Sequence, residues 1–326
     1  MTRSGSRVND EAISESTALE KGKAMAQHVI VGAGPVGTAT AQHLVAAGHT
    51  VRMVTRRGTG PDHPRIDRVA ADATDADRLV ALATGAEAIY NCANPAYHRW
   101  PVDWPPIATA LLAAAERTGA GLVTMSNVYG YGPVDGSMTE DLPLAATTVK
   151  GGVRTRMWQD ALAAHRAGRV RVTEARGSDF IGAGARSILS EVVLPKVHKG
   201  QRAFAPVDFD VPHSLTFTGD AGALLARLGT DERAWGRAWH VPTAPPGTLR
   251  EACVEYAKLV GAPSPKLTRV PPAVIWLVGL TNVEVRETVE MRYQFDRPFV
   301  LDSTAAQETF GLVPTSRTEA LRTLVS

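Results

Sequence analysis

The sequence of 326 residues contains little of what several classes of protein require. Its two cysteines, Cys92 and Cys253, are too few for a disulfide framework and have no metal-type spacing. The longest apolar run, residues 273–280, is much shorter than the ~20 residues of a membrane-spanning helix. The 35 basic and 33 acidic residues form no long basic run. These absences predict no metal site, no membrane contact and no nucleic-acid partner, and they favour a cytoplasmic location.

The first 24 residues also lack features. They are polar, show no helix or strand periodicity, and contain no apolar core of a secretory signal. We therefore expect a disordered leader over residues 1–24, with the folded protein beginning near residue 25.

The most informative stretch of the sequence is residues 27–57. A short apolar strand leads into a glycine turn, a helix-period segment ends at Gly48, and a second β-branched strand follows. This order is that of a dinucleotide-binding βαβ unit, in which the first glycine allows a tight turn, the second a close approach of pyrophosphate, and the third close helix packing. The helix N-terminus attracts phosphate. The residues predicted to bind the cofactor here are Gly32, Gly34, Pro35, Val36 and Gly37.

The residues after the second strand indicate whether the cofactor is NAD or NADP. NAD sites usually place an acidic residue about 20 positions after the glycines, where it binds the ribose 2′-hydroxyl. This chain instead has Thr55, Arg56 and Arg57 there, with no acidic residue nearby. Because guanidinium groups can bind a 2′-phosphate bidentately, the sequence predicts NADP (NADPH) in preference to NAD.

Strands alternate with helices over the first half of the chain. Five apolar or β-branched runs precede residue 128, and a sixth covers residues 169–175. Such alternation predicts an α/β fold with a Rossmann-type, doubly wound parallel sheet. We expect an NADP-binding Rossmann domain from residues 25–175 plus about 208–245. A smaller C-terminal substrate-binding subdomain is expected from about 176–207 plus 246–326.

With these features the chain resembles the extended short-chain dehydrogenase/reductases, the group that includes nucleotide-sugar epimerases and dehydratases. The resemblance rests on the glycine turn, Asp72-Ala73-Thr74-Asp75, Asn91-Cys92-Ala93, Val128-Tyr129-Gly130, the loop 176–184 and the segment 301–315. The turn departs from the commoner Gly-x-x-Gly-x-x-Gly, which favours an atypical branch. The resemblance implies that Asp72 and Ala73 lie against the adenine, that Asn91, Ala93 and Asn94 lie near the ribose, and that Arg176 lies near the nicotinamide.

The catalytic pair of that family is missing. Its members use Tyr-x-x-x-Lys on the helix after the fifth strand, where the lysine lowers the pKa of the tyrosine and the phenol transfers a proton. The best overlay puts Lys150 at the tyrosine position and Arg154 at the lysine position, and no tyrosine occurs between Tyr131 and Tyr256. The serine or threonine hydroxyl that accompanies this pair in the family could be that of Thr124 or Ser126, each one residue away from the expected position. The predicted catalytic residues are Ser126, Tyr129 and Lys150, the last also as a cofactor contact.

A reductase without that pair needs another source of protons. The side-chain candidates are Tyr129, Tyr131, Lys150, His98 and His213, and a substrate hydroxyl beside the ketone is another. We read residues 97–106 as a long loop whose aromatic side chains form an apolar wall for a flat ring system. Packing of the loop against the sheet edge is the alternative for these aromatics, and a structural hydrogen bond is the alternative for His213. The predicted substrate-binding residues are Tyr97, Trp100, Trp104, Ser178, Phe180 and His213.

Three functions are open at this point. We favour an NADPH-dependent ketoreductase that acts on a bulky polycyclic ketone of angucyclinone or other aromatic-polyketide type in antibiotic biosynthesis. The alternatives are a silent NADP-binding sensor resembling NmrA-like proteins and a nucleotide-sugar epimerase or dehydratase, which the missing tyrosine weakens most. We expect a small-molecule substrate and a monomer or homodimer.

Overall fold

The computed structural model of the protein describes residues 25–325, apart from the side chains of residues 283, 284 and 288. The predicted leader, residues 1–24, lies outside the described residues. The strands, in chain order, are β1 (Gln27–Val31), β2 (Thr50–Thr55), β3 (Ile66–Ala70), β4 (Ala88–Asn91), β5 (Gly121–Asn127), β6 (Ser137–Met138), β7 (Val172–Gly177), β8 (Asp179–Ile181), β9 (Arg202–Ala205), β10 (Pro212–His213), β11 (Leu215–Phe217), β12 (Ala238–His240), β13 (Gly247–Thr248), β14 (Lys266–Arg269) and β15 (Val300–Leu301).

Helices connect and cover these strands. In chain order they are α1 (Pro35–Ala46), α2 (Ala76–Ala83), α3 (Trp100–Thr118), α4 (Val149–Arg166), α5 (Leu194–His198), α6 (Thr218–Leu228), α7 (Leu249–Leu259), α8 (Pro272–Gly279), α9 (Val283–Thr288), α10 (Tyr293–Asp296), α11 (Thr304–Phe310) and α12 (Arg317–Arg322). None of the helices in the described part of the chain has the length and apolar character needed to cross a membrane.

Seven parallel strands form the central sheet, in the order β12-β7-β5-β4-β1-β2-β3. The chain runs outward from β1 to β3 and then returns to place β4 on the other side of β1. The switch in direction between β1 and β4 opens a crevice at the carboxyl ends of the strands, where such sheets bind their ligands. The predicted Rossmann-type α/β fold is therefore confirmed.

Helices cover both faces of the sheet. One apolar core lies on the side of α1 and α6, and the other on the side of α2, α3 and α4. Local signals that were predicted are present: Asp75 caps α2 by accepting from the backbone N–H of Arg78 at 2.9 Å, and Gly119 ends α3 with a φ of +75°.

The aromatic stretch after β4 differs from the prediction. Residues 97–106 were expected to be a long loop, but a short 3₁₀ turn leads directly into α3, which begins at Trp100. Pro101 lies in the first turn of α3, where a missing N–H costs nothing. An ion pair between Arg99 and Asp103 at 2.7 Å supports the same turn. Pro105 and Pro106 lie inside the helix, where each removes a backbone hydrogen bond, and the helix continues through them.

Two further cores contain residues of the C-terminal half of the chain. The larger gathers side chains of α5, β9, α7 and α12, and the smaller packs β6 and β15 beneath Tyr131. Ala306 and Phe310 of α11, however, return to the core of the central sheet. The last residues of the chain thus pack in more than one place, and the division into two domains stays a prediction.

Candidate active site

The glycine turn between β1 and α1 is shaped by close backbone contacts. Gly32 has a φ of +110°, and a Cβ there would overlap the backbone of Cys92. A Cβ at Gly37 would overlap the carbonyl of Gly32. Gly37 therefore lets the start of α1 pack on the turn itself rather than only on the sheet. At Gly34 a Cβ would meet nothing within 4 Å, so the space in front of this residue is open.

The N-terminus of α1 fits the phosphates of a dinucleotide. Gly34 is the N-cap and offers no side-chain hydrogen bond to the first turn, while Pro35 at the first helical position has no N–H of its own. The remaining first-turn N–H groups and the helix dipole are thus left for an anion. The open space at Gly34 and this uncapped N-terminus agree with the cofactor site predicted from the sequence.

The residues predicted to bind the adenosine half lie at neighbouring strand ends. Arg56 and Arg57 are exposed directly after β2, where Thr55 Oγ1 fixes the turn by accepting from the N–H of Thr59 at 2.7 Å. Asp72, after β3, accepts from the N–H and hydroxyl of Thr74, both at 2.9 Å. These hydrogen bonds lower the pKa of Asp72, so its carboxylate is charged. Ala73 is half-buried beside it.

The end of β4 lies next to this turn. Asn91 is buried, and its Oδ1 accepts from the N–H of Ala93 at 3.3 Å. Asn94 is exposed. Because β4 adjoins β1 in the sheet, residues 91–94 border the same crevice as the glycine turn.

Lys150, at the tyrosine position of the family pattern, is held in an ion-pair cluster. Its side chain is only 1% exposed, and Nζ lies 2.7 Å from a carboxylate oxygen of Glu287 and 2.7 Å from one of Glu290. The same ammonium lies 4.5 Å from the centre of the Tyr97 ring. Glu290 also accepts from the first N–H of α4, at Val149. Lys150 therefore fastens the segment after α8 to the start of α4 and does not project into an open site.

Arg154, one turn further along α4, is buried without a carboxylate partner among the described residues. Its guanidinium lies 4.6 Å from the Trp100 ring and 4.2 Å from the Trp104 ring. It makes one long hydrogen bond, 3.4 Å, to the carbonyl of Met125. Burial lowers the pKa of Arg154 to about 10, although nearby Glu174 and Tyr129 act in the opposite direction. A cation-π sandwich replaces the ion pair that a buried arginine usually makes.

The predicted aromatic wall is therefore corrected in part. Trp100 is 3% exposed and Trp104 is fully buried, because both indoles pack on Arg154 inside the fold. Tyr97 is half-buried and stands edge-on to Trp100, while Tyr129 stacks on Trp100 at 5.9 Å. Only the tyrosines of this group border accessible space, and the two tryptophans pack inside the fold from a helix rather than from a loop at the sheet edge.

Tyr129 and Ser126 lie together at the carboxyl end of β5. Tyr129 lies near Tyr97 and Gln294, and burial raises its pKa to about 12. The Ser126 hydroxyl, the Tyr293 hydroxyl and Oε1 of Gln294 are buried, with no hydrogen-bond partner among the described residues. Unpaired buried polar atoms are rare in proteins and call for a ligand or water. They make this the polar part of the candidate site.

Arg176, predicted to contact the cofactor, is engaged elsewhere. Its guanidinium donates to Glu174 at 2.7 Å and to the Tyr131 hydroxyl at 2.8 Å. Tyr131 in turn contacts His240 Nε2 at 2.7 Å, and His240 Nδ1 donates to the carbonyl of Asp302 at 2.6 Å. This buried chain fixes the ends of β7 and β12, so the structure does not support Arg176 as a cofactor ligand.

The remaining predicted substrate residues lie around β8. Ser178 is buried and donates to the carbonyl of Ser214 at 2.8 Å, and Phe180 is half-buried against Gly177. The His213 side chain has no exposed surface, and its Nε2 lies 2.9 Å from a carboxylate oxygen of Asp179. His213 is therefore the structurally bonded histidine that was the alternative, and it does not face open space.

Several residues of the site could not be found from the sequence. Glu287, Glu290 and Gln294 lie more than 130 positions from Lys150 in the chain, in a stretch without any motif. Asp179 stands inside the loop that resembles the family pattern, but nothing in that loop predicts its pairing with His213. Their positions depend on how the C-terminal segment folds back.

Comparison with known proteins identifies the family. The model of the NAD dependent epimerase/dehydratase family matches residues 28–208, more than half of the chain. The protein therefore belongs to that family, as the sequence resemblance indicated. Membership supports an enzyme that binds a nicotinamide dinucleotide. Comparison with the curated proteins gave no match.

Solved structures show the same fold over nearly the whole chain. MoeE5 in complex with UDP-glucuronic acid and NAD is 21% identical with a TM-score of 0.72, covering 91% of this chain and 97% of its own. The dTDP-glucose 4,6-dehydratase of Bacillus anthracis in complex with NAD is 15% identical with a TM-score of 0.74, covering 92% and 96%. The epimerase Mth375 of Methanothermobacter thermautotrophicus is 16% identical with a TM-score of 0.76, covering 92% and 91%. At these identities the likeness concerns the fold.

Proposed function

We propose that this protein is an NADPH-dependent ketoreductase that reduces a carbonyl of a bulky, hydroxylated polycyclic ketone of angucyclinone or other aromatic-polyketide type, in antibiotic biosynthesis. One observation carries the proposal: α4 has Lys150 and Arg154, both buried and engaged, where the family has its tyrosine and lysine, whereas the glycine turn is complete. In its missing Tyr-x-x-x-Lys pair the chain resembles the angucyclinone ketoreductase of simocyclinone biosynthesis.

NADPH supplies a hydride when it is bound, and this chain holds and orients it. Lys150 and Arg176 are left out because their charged groups are taken by glutamates. Arg56 and Arg57 support NADP over NAD, since both are exposed at the end of β2. The residues proposed to contact the cofactor are Gly32, Gly34, Pro35, Val36, Gly37, Thr55, Arg56, Arg57, Asp72, Ala73, Asn91, Ala93 and Asn94.

Tyr129 is one candidate proton source for the proposed reduction. Reduction of a ketone needs a group that gives a proton to the developing alkoxide, whereas oxidation of an alcohol needs a base. With its pKa raised to about 12, Tyr129 stays protonated at neutral pH and is a poor base. An alkoxide is a stronger base than a phenolate, so Tyr129 can still donate to it. A hydroxyl of the substrate beside its ketone is the second proton source, and Ser126 is proposed to orient the carbonyl.

A second candidate function is suggested by the solved relatives. MoeE5 and the B. anthracis dehydratase favour a nucleotide-sugar epimerase or dehydratase. That chemistry begins with removal of a proton from a sugar hydroxyl. The protonated state of Tyr129 and the ion pairs of Lys150 both argue against such a base here. A cofactor-binding sensor without turnover, resembling NmrA-like proteins, is the third candidate.

The test is oxidation of NADPH by the purified protein with polycyclic hydroxylated ketones, simple ketones and nucleotide sugars. Turnover with a polycyclic ketone is expected, with NADPH preferred over NADH. In an Arg56→Ala/Arg57→Ala variant the ratio of kcat/KM for NADPH over NADH should fall by about 100-fold, as expected for two lost charge-assisted contacts. Arg65→Ala is the control, because Arg65 is exposed before the amino end of β3, whereas Arg56 and Arg57 follow the carboxyl end of the neighbouring parallel strand β2.

Other outcomes separate the candidates. Conversion of a UDP- or dTDP-sugar without net NADPH consumption would establish the epimerase or dehydratase. Tight binding of NADPH without turnover of any ketone or sugar would establish the sensor. Equal kcat/KM for NADPH and NADH in the parent protein would refute the role of Arg56 and Arg57.

A further inference from the structure

Asp179 and His213 form a pair whose geometry is fixed from several sides. Nε2 of His213 lies 2.9 Å from Oδ2 of Asp179. The imidazole is fully buried and stacks on Phe295, 5.2 Å away and 7° from parallel, and on Phe299 at 5.3 Å. Asp179 itself begins β8, which pairs with β11 from Leu215 onward. The stacked ring thus positions the carboxylate through the hydrogen bond at Nε2.

The second oxygen of Asp179 is left for something else. Oδ2 accepts the hydrogen bond from His213, and none of the described residues 25–325 donates a hydrogen bond to Oδ1. The side chain is 19% exposed. Asp179 follows Gly177, which pairs with Asn127 at the carboxyl ends of β7 and β5, so the carboxylate lies at the same end of the sheet as Tyr129. Its negative charge acts to raise the pKa of Tyr97 and Tyr129. Asp179 therefore presents a fixed, free acceptor oxygen at the polar part of the candidate site.

The surroundings make this acceptor unsuited to an anion. Besides Asp179, the carboxylates of Glu287 and Glu290 share the ammonium of Lys150, which is therefore already paired and lies 4.5 Å from the centre of the Tyr97 ring. Arg154 is shielded by two indoles.

Beyond Tyr293 a cavity of about 610 Å³ opens, bordered by Arg292 and Arg297. Each of these arginines pairs with an aspartate, Arg292 with Asp296 at 2.7 Å and Arg297 with Asp135 at 3.3 Å. A diphosphate bound here would be repelled by the carboxylates and would meet only arginines that are already paired with aspartates.

We propose that Asp179 determines substrate specificity: Oδ1 accepts a hydrogen bond from a phenolic or alcoholic hydroxyl of the ketone, and its charge disfavours diphosphate-linked sugars. The inference rests on the proposed ketoreductase function and narrows its substrate to hydroxylated, uncharged ketones. His213 acts through Asp179 as a positioning residue. A carboxylate is a strong acceptor for such a donor, and a buried acceptor left without a partner penalises an analogue that lacks the hydroxyl.

The experiment compares two ketones that differ only at this hydroxyl. Binding of 6-hydroxy-1-tetralone and 6-methoxy-1-tetralone is measured by tryptophan fluorescence in the presence of NADP⁺, so that no turnover is needed. The parent protein should prefer the hydroxy ketone by about 10-fold or more, the scale of one charge-assisted hydrogen bond. In Asp179→Asn, which keeps the shape and an acceptor for His213, the preference should shrink to about 3-fold or less, with NADP⁺ affinity unchanged.

The variant also alters the response to anions. Asp179→Asn should bind UDP-glucose no worse than the parent protein, since a negative charge has been removed. Weaker UDP-glucose binding in the variant would overturn the proposal, because Asp179 would then serve a nucleotide sugar. His213→Gln, which keeps a hydrogen-bond donor but loses the stacked ring, should reduce the hydroxy preference by a smaller factor than Asp179→Asn.

Failure of this inference and failure of the proposed function give different results. An equal loss of affinity for both tetralones in Asp179→Asn, an unchanged preference, or no binding of either ketone overturns the role of Asp179. Reduction of both tetralones at equal rates, with no effect of Asp179→Asn, leaves the ketoreductase and removes the inference. An Asp179-dependent preference in binding without any NADPH oxidation supports the inference and refutes the ketoreductase.

Discussion

The cofactor end and the catalytic end of the candidate site handle charge in opposite ways. Arg56 and Arg57 are exposed after β2 and make no ion pair with any described residue. Lys150 and Arg154 are almost fully buried, one between two glutamates and the other between two indoles. Exposed cations stay available to a ligand that arrives from solution, whereas buried ones must find partners within the fold. The difference indicates that the cofactor surface is kept free and that the usual catalytic positions serve the structure.

The two ends also differ in how far apart their residues are in sequence. The glycine turn, α1 and the two arginines lie within residues 27–57. The ion-pair cluster joins Lys150 to residues that follow about 140 positions later. A site built from one continuous segment keeps its geometry when the rest of the protein changes. A site built from distant segments is altered by any change in how the C-terminal part folds back.

The largest expected effect in this comparison comes from Lys150→Met. The change leaves Glu287 and Glu290 next to each other without a cation. Loss of one partner of a buried ion pair typically costs about 3 kcal/mol of the free energy of unfolding. Urea denaturation should show this decrease, whereas Arg57→Met, at the exposed cofactor end, should change stability by less than about 0.5 kcal/mol.

A charge-neutral cluster provides the control for that result. In the triple variant Lys150→Met/Glu287→Gln/Glu290→Gln no carboxylate is left unpaired, so most of the lost stability should return. If the triple variant were as unstable as Lys150→Met, the effect would come from packing and not from charge. If Lys150→Met unfolded like the parent protein, the contrast between the two ends would not hold.

A smaller effect is expected at the glycine turn. In Gly37→Ala the new Cβ would overlap the carbonyl of Gly32, which cannot move freely. Overpacking of this kind costs about 2 kcal/mol, and the distorted turn should also weaken NADPH binding. Thermal unfolding and a fluorescence titration with NADPH measure the two effects.

Gly34→Ala is the matched variant, because its Cβ meets nothing within 4 Å and its φ of −73° is allowed for alanine. Its stability should stay within about 0.5 kcal/mol of the parent protein, while its affinity for NADPH should fall, since the Cβ enters the space reserved for phosphate. Equal stability losses at both glycines would contradict the assignment of an open face to Gly34.

The smallest expected effect is a pH dependence of the free energy of unfolding. It arises at His240, in the buried series of hydrogen bonds that joins Arg176, Tyr131 and His240. Burial lowers the pKa of His240 from its ordinary 6.5, outweighing the nearby carboxylate of Glu140, so the ring is neutral in the folded protein. Below about pH 6.5 the unfolded histidine takes up a proton that the folded one does not. The stability contributed by the neutral ring is therefore complete above that pH and is lost as the pH falls, by up to about 1.4 kcal/mol per pH unit.

Urea denaturation at pH 7.5 and pH 5.5 compares His240→Gln with the parent protein. Glutamine can accept from Tyr131 and donate to the carbonyl of Asp302, so the variant should lose less stability between the two pH values than the parent. His98→Gln is the control, because His98 is exposed and should leave the pH dependence as it was. An identical pH dependence in all three proteins would exclude His240 as its source.

Much of the fold could be predicted from the sequence, because its signals are local. The period of apolar residues, Asp75 before α2 and Gly119 after α3 fixed the strands and helices of the central sheet to within a few residues. The exception is residues 97–106, where the prolines suggested a loop. Trp100 and Trp104, one turn apart, bury their rings on Arg154, and this packing offsets the backbone hydrogen bonds that Pro105 and Pro106 remove from the helix.

In the candidate site, too, the features formed by residues close together in the chain could be predicted, and the contacts between distant segments could not. The sequence by itself determined the dinucleotide-binding unit, the arginines after β2, and the absence of a tyrosine from α4, since each depends on residues close together in the chain. Only the tertiary structure decided that Lys150 pairs with Glu287 and Glu290, that Arg176 donates to Tyr131, and that Asp179 bonds with His213. Contacts of this kind arise when segments more than 30 residues apart are packed against one sheet, and the burial that results sets both the pKa of Tyr129 and the charges left free for a ligand.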